Sequence, residues 1–434
     1  MTNRLEPAQP RLRRSGRYAV TPWAQQHLYR PFVKAAIVVA LTLGFTTAVV
    51  ILILVASGQT IGLAWSTYLQ SHGVAQLLGW AGLFVTGVAM HVVPRFRGDA
   101  PIRFPWPQRA ILTLILAGIT LRALGQIAHE SPTSEPLLIA SGLTLLAGYA
   151  TFALTLASVL RGGRPSGTPV ERWIWTGITW ALVAATLHLA ITIQMAIDHS
   201  PVAPARLNQA FVFAATFGFV THFLLGISLR AIAGFIRLRP YRQRLELAAF
   251  LLIEVGLLTH TATTAFDSSP RDSQQIGLIL LALGLILFTH SLRVLEPPIA
   301  PRTGAPGSYP RYPWILIAAY CWLLVGAIAI AGHAGATLDW WSWPIPSSSL
   351  GLHIVTLGFI TMTIVGFAAR TLPLFAGRLL HRHWPLDLAF IALNASVALR
   401  LLASIDGAPA STRGLALSGT LGLVAIFAFA ITVW

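Results

Sequence analysis

Thirteen histidines are spread through a chain of 434 residues that is 55% hydrophobic and only 10% charged. Neutral imidazole is a common metal ligand, and an ionisable group inside an apolar run is costly unless it has a task. The histidines therefore sort by where they fall. His27, His129, His199, His333, His381 and His383 lie in the polar tail or in loops, where solvation accounts for them. His91 and His290 stand near the ends of apolar runs and read as structural polar groups. Inside the runs remain His72, His188, His222, His260 and His353, with one mid-run acid, Glu254 of "LLIEVGLLTHT".

His72 and His353 form a set. Each opens an apolar run and is followed by small residues: Gly73, Ala75, Gly79, Gly82 and Gly87 after the first, Gly358, Gly366, Ala368 and Ala369 after the second. A flat macrocycle needs such clearance, and two facing imidazoles are a common way to hold haem iron. Arg122 and Arg400 sit toward the same ends of their runs. They could hold the propionates of such a ring, or snorkel to the interface. Gln76, one turn from His72, is a polar candidate for the rim. Glu254 and His260 are about 600° apart around a helix and do not share a face. With His188 and His222 they could still bind a second metal such as copper or non-haem iron, or relay protons.

The composition decides what positions these groups. A soluble protein carries about 25% charged residues, so this chain reads as an integral membrane protein that contacts lipid. Runs of about 20 apolar residues mark membrane-crossing helices. There are twelve, near 34–56, 73–93, 109–128, 136–160, 173–197, 207–233, 245–265, 274–294, 313–332, 349–373, 386–405 and 412–433. No alternating strands suggest a barrel. The expected fold is all-α and polytopic, with a polar tail at 1–33 and a membrane domain at 34–434. The net charge of +16 does not point to nucleic acid, because the arginines gather at the ends of runs. The tail and every second loop are arginine-rich, while the opposite loops hold only Arg206, Arg271 and Arg413. That asymmetry places both termini in the cytoplasm and sets His72 and His353 near the outer face. The single cysteine, Cys321, excludes an internal disulfide.

The second, sixth and tenth runs also echo one another. Aligning Gly87, Gly226 and Gly366 brings His91, Arg230 and Arg370 together, and Pro94 and Phe96 fall on Pro373 and Phe375. The echo predicts three four-helix units around a pseudo-threefold axis.

"HGVAQLLGWAGLFVTGVAMHVVPRFRGDAPIRFP" resembles the second helix of haem–copper oxidase subunit I at His72, Gly73, Pro94, Gly98 and Pro105. "HIVTLGFITMTIVGFAARTLPLFAG" resembles the tenth at His353, Gly358, Gly366, Pro373 and Phe375. The second stretch is also similar to the NnrS family, twelve-span haem proteins linked to nitric oxide stress, at His353, Thr356, Gly358, Met362, Gly366, Arg370, Gly377 and Arg378. These resemblances imply a protein of the bacterial cytoplasmic membrane. His72 and His353 would be axial ligands of haem b, with Arg122 and Arg400 at the propionates. The expected role is nitric oxide response or electron transfer, with a diatomic gas or an electron-donor protein as partner. Departures count against oxygen-reducing chemistry. Gly351 stands where an oxidase has its second haem ligand, Val74 where NnrS has a second histidine, and His222 and His260 lack the copper-site motifs. The alternative is a divergent oxidase or nitric oxide reductase with a remodelled metal site.

Overall fold

The computed structural model describes residues 28–434 apart from 61, 99, 101, 103–105, 166, 267–270, 301–308, 343–348, 377–378, 406–410 and 434. Most of the expected tail, with Pro105, Gly377 and Arg378 of the sequence resemblances, lies outside the described residues. Among the described residues, twelve helices are long and apolar enough to cross a membrane: α1 (Tyr29–Ala56), α2 (Trp65–Phe96), α3 (Trp106–Ile127), α4 (Ser134–Gly162), α5 (Val170–Ile197), α6 (Ala205–Phe235), α7 (Gln243–Phe266), α8 (Asp272–Leu292), α9 (Tyr312–Thr337), α10 (Ser349–Ala376), α11 (Trp384–Ala403) and α12 (Ser411–Val433). No strand occurs among the described residues.

Two boundaries differ from the sequence reading. The first helix begins at Tyr29, inside the expected tail, because Tyr29, Phe32 and Val33 are buried. The Tyr29 ring packs 5.0 Å from His91 and 5.3 Å from Phe375. His91, expected as a helix-end polar group, is thus buried between two aromatic rings. The second helix starts at Trp65, so His72 lies about two turns inside it rather than at its mouth.

Three helices form the interior. In α2 and α6, 94% of the most apolar window is buried, and in α10 78%, against 39–56% in the other nine. Each of the three contains an eight-residue π-helical segment: Ala75–Gly82, Ala214–Thr221 and Ile354–Thr361. These segments occupy the same register relative to Gly87, Gly226 and Gly366.

The glycines explain how the helices pack. A Cβ on Gly87 would meet Phe32 of α1, one on Gly226 would meet Trp173 of α5, and one on Gly366 would meet Leu316 of α9. Eight residues earlier the pattern repeats, with Gly79 against Val39, Gly218 against Trp180 and Gly358 against Trp322. Each inner helix therefore uses one glycine pair to seat the helix that precedes it, as small residues do where membrane helices approach closely. The remaining helices pack in pairs, α3 on α4, α7 on α8 and α11 on α12.

The inner three meet around a small apolar void of about 20 Å³. Register-equivalent residues line it: Val85, Leu224 and Ile364, then Val88, Ile227 and Phe367. A polar bond crosses this interior, from Trp80 Nε1 to Thr361 Oγ1 at 3.2 Å.

Candidate functional site

His72 is held from outside its own helix. Its Nδ1 lies 2.9 Å from the carbonyl oxygen of Gly44 on α1. α1 is π-helical over Ala40–Gly44, and the backbone at Gly44 turns to φ −82°, ψ −107°, outside the helical range. Such interruptions of the α-helical ladder are frequent at functional sites. The approach at this position is close: a Cβ would stand 3.1 Å from Gln76 Nε2 and 3.2 Å from the carbonyl of Val39. The Gln76 amide thus lies beside the carbonyl that holds His72.

His353 reaches the same state by a local route. Its Nδ1 lies 2.9 Å from the carbonyl of Ser349, one turn earlier in α10. A carbonyl only accepts hydrogen bonds, so both imidazoles carry their proton on Nδ1 and present the Nε2 lone pair. Neither Nε2 has a hydrogen-bond partner among the described residues. Both side chains are half-buried.

The two imidazoles lie close enough for direct Coulomb interaction, and the Arg400 guanidinium of α11 acts on both. Arg400 has no carboxylate partner among the described residues. The histidines are not equivalent under the glycine register. His72 lies fifteen residues before Gly87 and His353 thirteen before Gly366. Two residues turn a side chain by about 200°. Neighbouring helices in a ring face the gap between them with opposite flanks, so side chains that share that gap must come from different register positions.

The remaining predicted residues fall elsewhere. Arg122 is buried with Met195 and His188 and does not join the histidine pair. His222 contacts Glu254. Its Nδ1 meets the carbonyl of Phe217 at 2.8 Å, and Glu254 Oε2 accepts from Trp180 Nε1 at 3.1 Å. His260 packs on Phe213 with ring centroids 4.3 Å apart, and its Nδ1 meets the carbonyl of Gln274. His188, His222, His260 and Glu254 are therefore not gathered: among the described residues no group of three or more His, Cys, Asp or Glu could hold a metal ion.

The glycines read as clearance for a ring mostly serve helix packing. Gly79, Gly82, Gly87, Gly358 and Gly366 all face close neighbours, and only Gly73 beside His72 opens on empty space. Sequence reading missed Gly44 and Ser349, whose contribution is a backbone carbonyl. No residue-type signal marks which backbone carbonyl will meet an imidazole.

Residues 232–434 match a family model described as a domain of unknown function (DUF8744). The matched part holds His353 and Arg400 but not His72. No curated protein matches the chain.

Proposed function

We propose that this chain is a multi-pass membrane haem protein in which His72 and His353 are the axial ligands of a b-type haem. The carrying observation is the shared tautomer: two imidazoles, each tied through Nδ1 to a backbone carbonyl and each presenting a free Nε2. Ligating histidines are oriented in this way by outer partners. The donor set therefore fits the group. Arg400 supplies positive charge where a propionate would lie, Gln76 offers an amide at the rim, and Gly73 leaves space beside His72.

Bound haem supplies one-electron redox chemistry. The protein's part is to orient both imidazoles, to compensate a carboxylate and to exclude water. His72 and His353 would together hold the haem, and a haem held by two histidines would suit electron transfer with a donor protein more than direct binding of nitric oxide or oxygen. A nitric oxide response of the NnrS kind remains the physiological setting that the resemblance suggests. The matched π segments and the void lined by equivalent residues support a haem–copper-oxidase-like pseudo-threefold bundle. The arginine asymmetry supports cytoplasmic termini in a bacterial inner membrane.

The contact between His222 and Glu254 favours a second reading, an oxidoreductase with a further metal. That pair would need additional ligands from elsewhere. A reduced-minus-oxidised absorbance spectrum with metal analysis separates the readings. The proposal expects a low-spin haem signal that is lost in His72→Ala and in His353→Ala. A colourless wild type overturns it, and one copper or non-haem iron per chain supports the second reading.

A further inference from the structure

At the arginine-rich end, the three inner helices finish in unlike surroundings. The helices that seat them share a register. Phe32, Trp173 and Ile315 face Gly87, Gly226 and Gly366, and Val39, Trp180 and Trp322, seven residues on, face Gly79, Gly218 and Gly358. In that register Arg97, Ile236 and Ala376 are equivalent on α2, α6 and α10, and Glu171, Pro313 and Arg30 on α5, α9 and α1. At the first place Arg97 pairs with Glu171. At the second, Ile236 and Pro313 are both apolar and buried. At the third, Ala376 offers only a methyl group, and Arg30 stands where the first place has its acid. The flanking helices also separate there. α4 and α5 are joined by a short loop at this end, but α12 and α1 are not consecutive. α12 packs along Phe45–Ala56 of α1 and much less along Tyr29–Val39.

The third place is a cavity of about 380 Å³ between α1, α10 and α12, within the size range of ligand pockets. Its floor is buried and largely apolar: Tyr29, Val33, Ala368, Ala369 and Phe429. Its rim carries Arg30 and Lys34, and no acidic residue lines it among the described residues. We propose that this cavity binds an anionic phospholipid, with the phosphodiester on Arg30 and Lys34 and an acyl chain laid over Val33, Leu372 and Phe429. Basic pockets between membrane helices hold anionic lipid headgroups in this way, and a guanidinium matches phosphate oxygens in charge and geometry. Residues 1–27 carry five arginines and one acid, so their charge does not complement the rim. The cavity lies at the end of α10 away from His353 and does not rest on the haem reading.

The test is the thermal unfolding midpoint of the purified, delipidated full chain in detergent. It is titrated with phosphatidylglycerol, with phosphatidylcholine of the same acyl chains, and with glycerol 3-phosphate. The wild type is expected to show a saturable rise with phosphatidylglycerol that the other two do not reproduce. In the double variant Arg30→Gln with Lys34→Gln, half-saturation should need about ten- to thirty-fold more phosphatidylglycerol. Ala376→Ile introduces the side chain of the second place and narrows the cavity without touching either cation. It should also blunt the response, with a midpoint in phosphatidylcholine like that of wild type. An equal rise with both lipids overturns the proposal. So does an equal rise with glycerol 3-phosphate, which would make the site one for free phosphate. A phosphatidylglycerol response that persists unchanged in either variant places the lipid elsewhere and also overturns it.

Discussion

The imidazole of His72 is tethered to the carbonyl of Gly44, 2.9 Å away on the preceding helix, at the end of a π-helical turn. The tether sets the tautomer, and the glycine sets the tether. In Gly44→Val the added carbons would run into the Gln76 amide. The helices should still assemble, but His72 should lose its fixed orientation. On the proposed haem reading, haem affinity should fall about 10- to 100-fold, read as haem-to-protein ratio during titration, with an unchanged far-ultraviolet circular dichroism spectrum. Unaltered affinity would remove Gly44 from the site.

The glycine pairs of the inner helices should be intolerant of bulk in proportion to what they face. Gly358→Val places carbons against Trp322, where a Cβ would already stand 2.6 Å away. A loss of about 1–3 kcal/mol is expected from overpacking, seen as a lowered unfolding midpoint in detergent. Gly73→Ala has empty space before it and should leave the midpoint within about 0.5 kcal/mol of wild type, as a surface-like change does.

Arg97 clips two loops together at the arginine-rich end. Its guanidinium donates to Glu171 Oε1 at 2.5 Å, to the carbonyl of Gly163 at 2.7 Å and to the carbonyl of Leu160. Arg97→Ala removes three hydrogen bonds, one of them to a carboxylate, and should cost about 1–3 kcal/mol. Limited proteolysis between α4 and α5 should show faster cleavage, and an unchanged rate would contradict the clip.

Glu296 lies in the loop after α8. The Arg293 guanidinium hydrogen-bonds it and holds its carboxyl below the usual range, with further help from the charges of Arg242 and Arg239. A depressed folded-state value means the stabilisation is present above the unfolded value of about 4.3 and is lost as pH falls through the folded one. Between about pH 5 and pH 3 the wild-type midpoint should therefore drop more steeply than that of Glu296→Gln. Parallel curves would show that the contact is immaterial to stability.

Much of the fold was legible along the chain. Hydropathy marked all twelve helices, and the second, sixth and tenth runs that echo one another each carry a π-helical segment in the same register, which the echo did not predict. Boundaries were less legible where burial depends on a partner. Tyr29 extends the first helix because His91 and Phe375 receive its ring, and neither is near it in sequence. For the candidate site, the residue types picked out His72, His353 and Arg400 together with groups that lie elsewhere. Arg122 and Arg400 look alike as single arginines toward the outer ends of apolar runs. Which one faces the histidines depends on helix rotation, and composition carries no record of that.

By itself, then, the sequence determined an all-helical bundle of twelve apolar segments, its charge asymmetry and its internal echo. Those properties are local and sum along the chain, residue by residue. The tertiary structure decided which carbonyls hold His72 and His353, that most glycines seat helices rather than clear a ring, and that Arg122 and His188 are enclosed together. Those outcomes depend on which flank each helix turns to its neighbour and on where its hydrogen-bond ladder is interrupted. Both are fixed only when the helices pack.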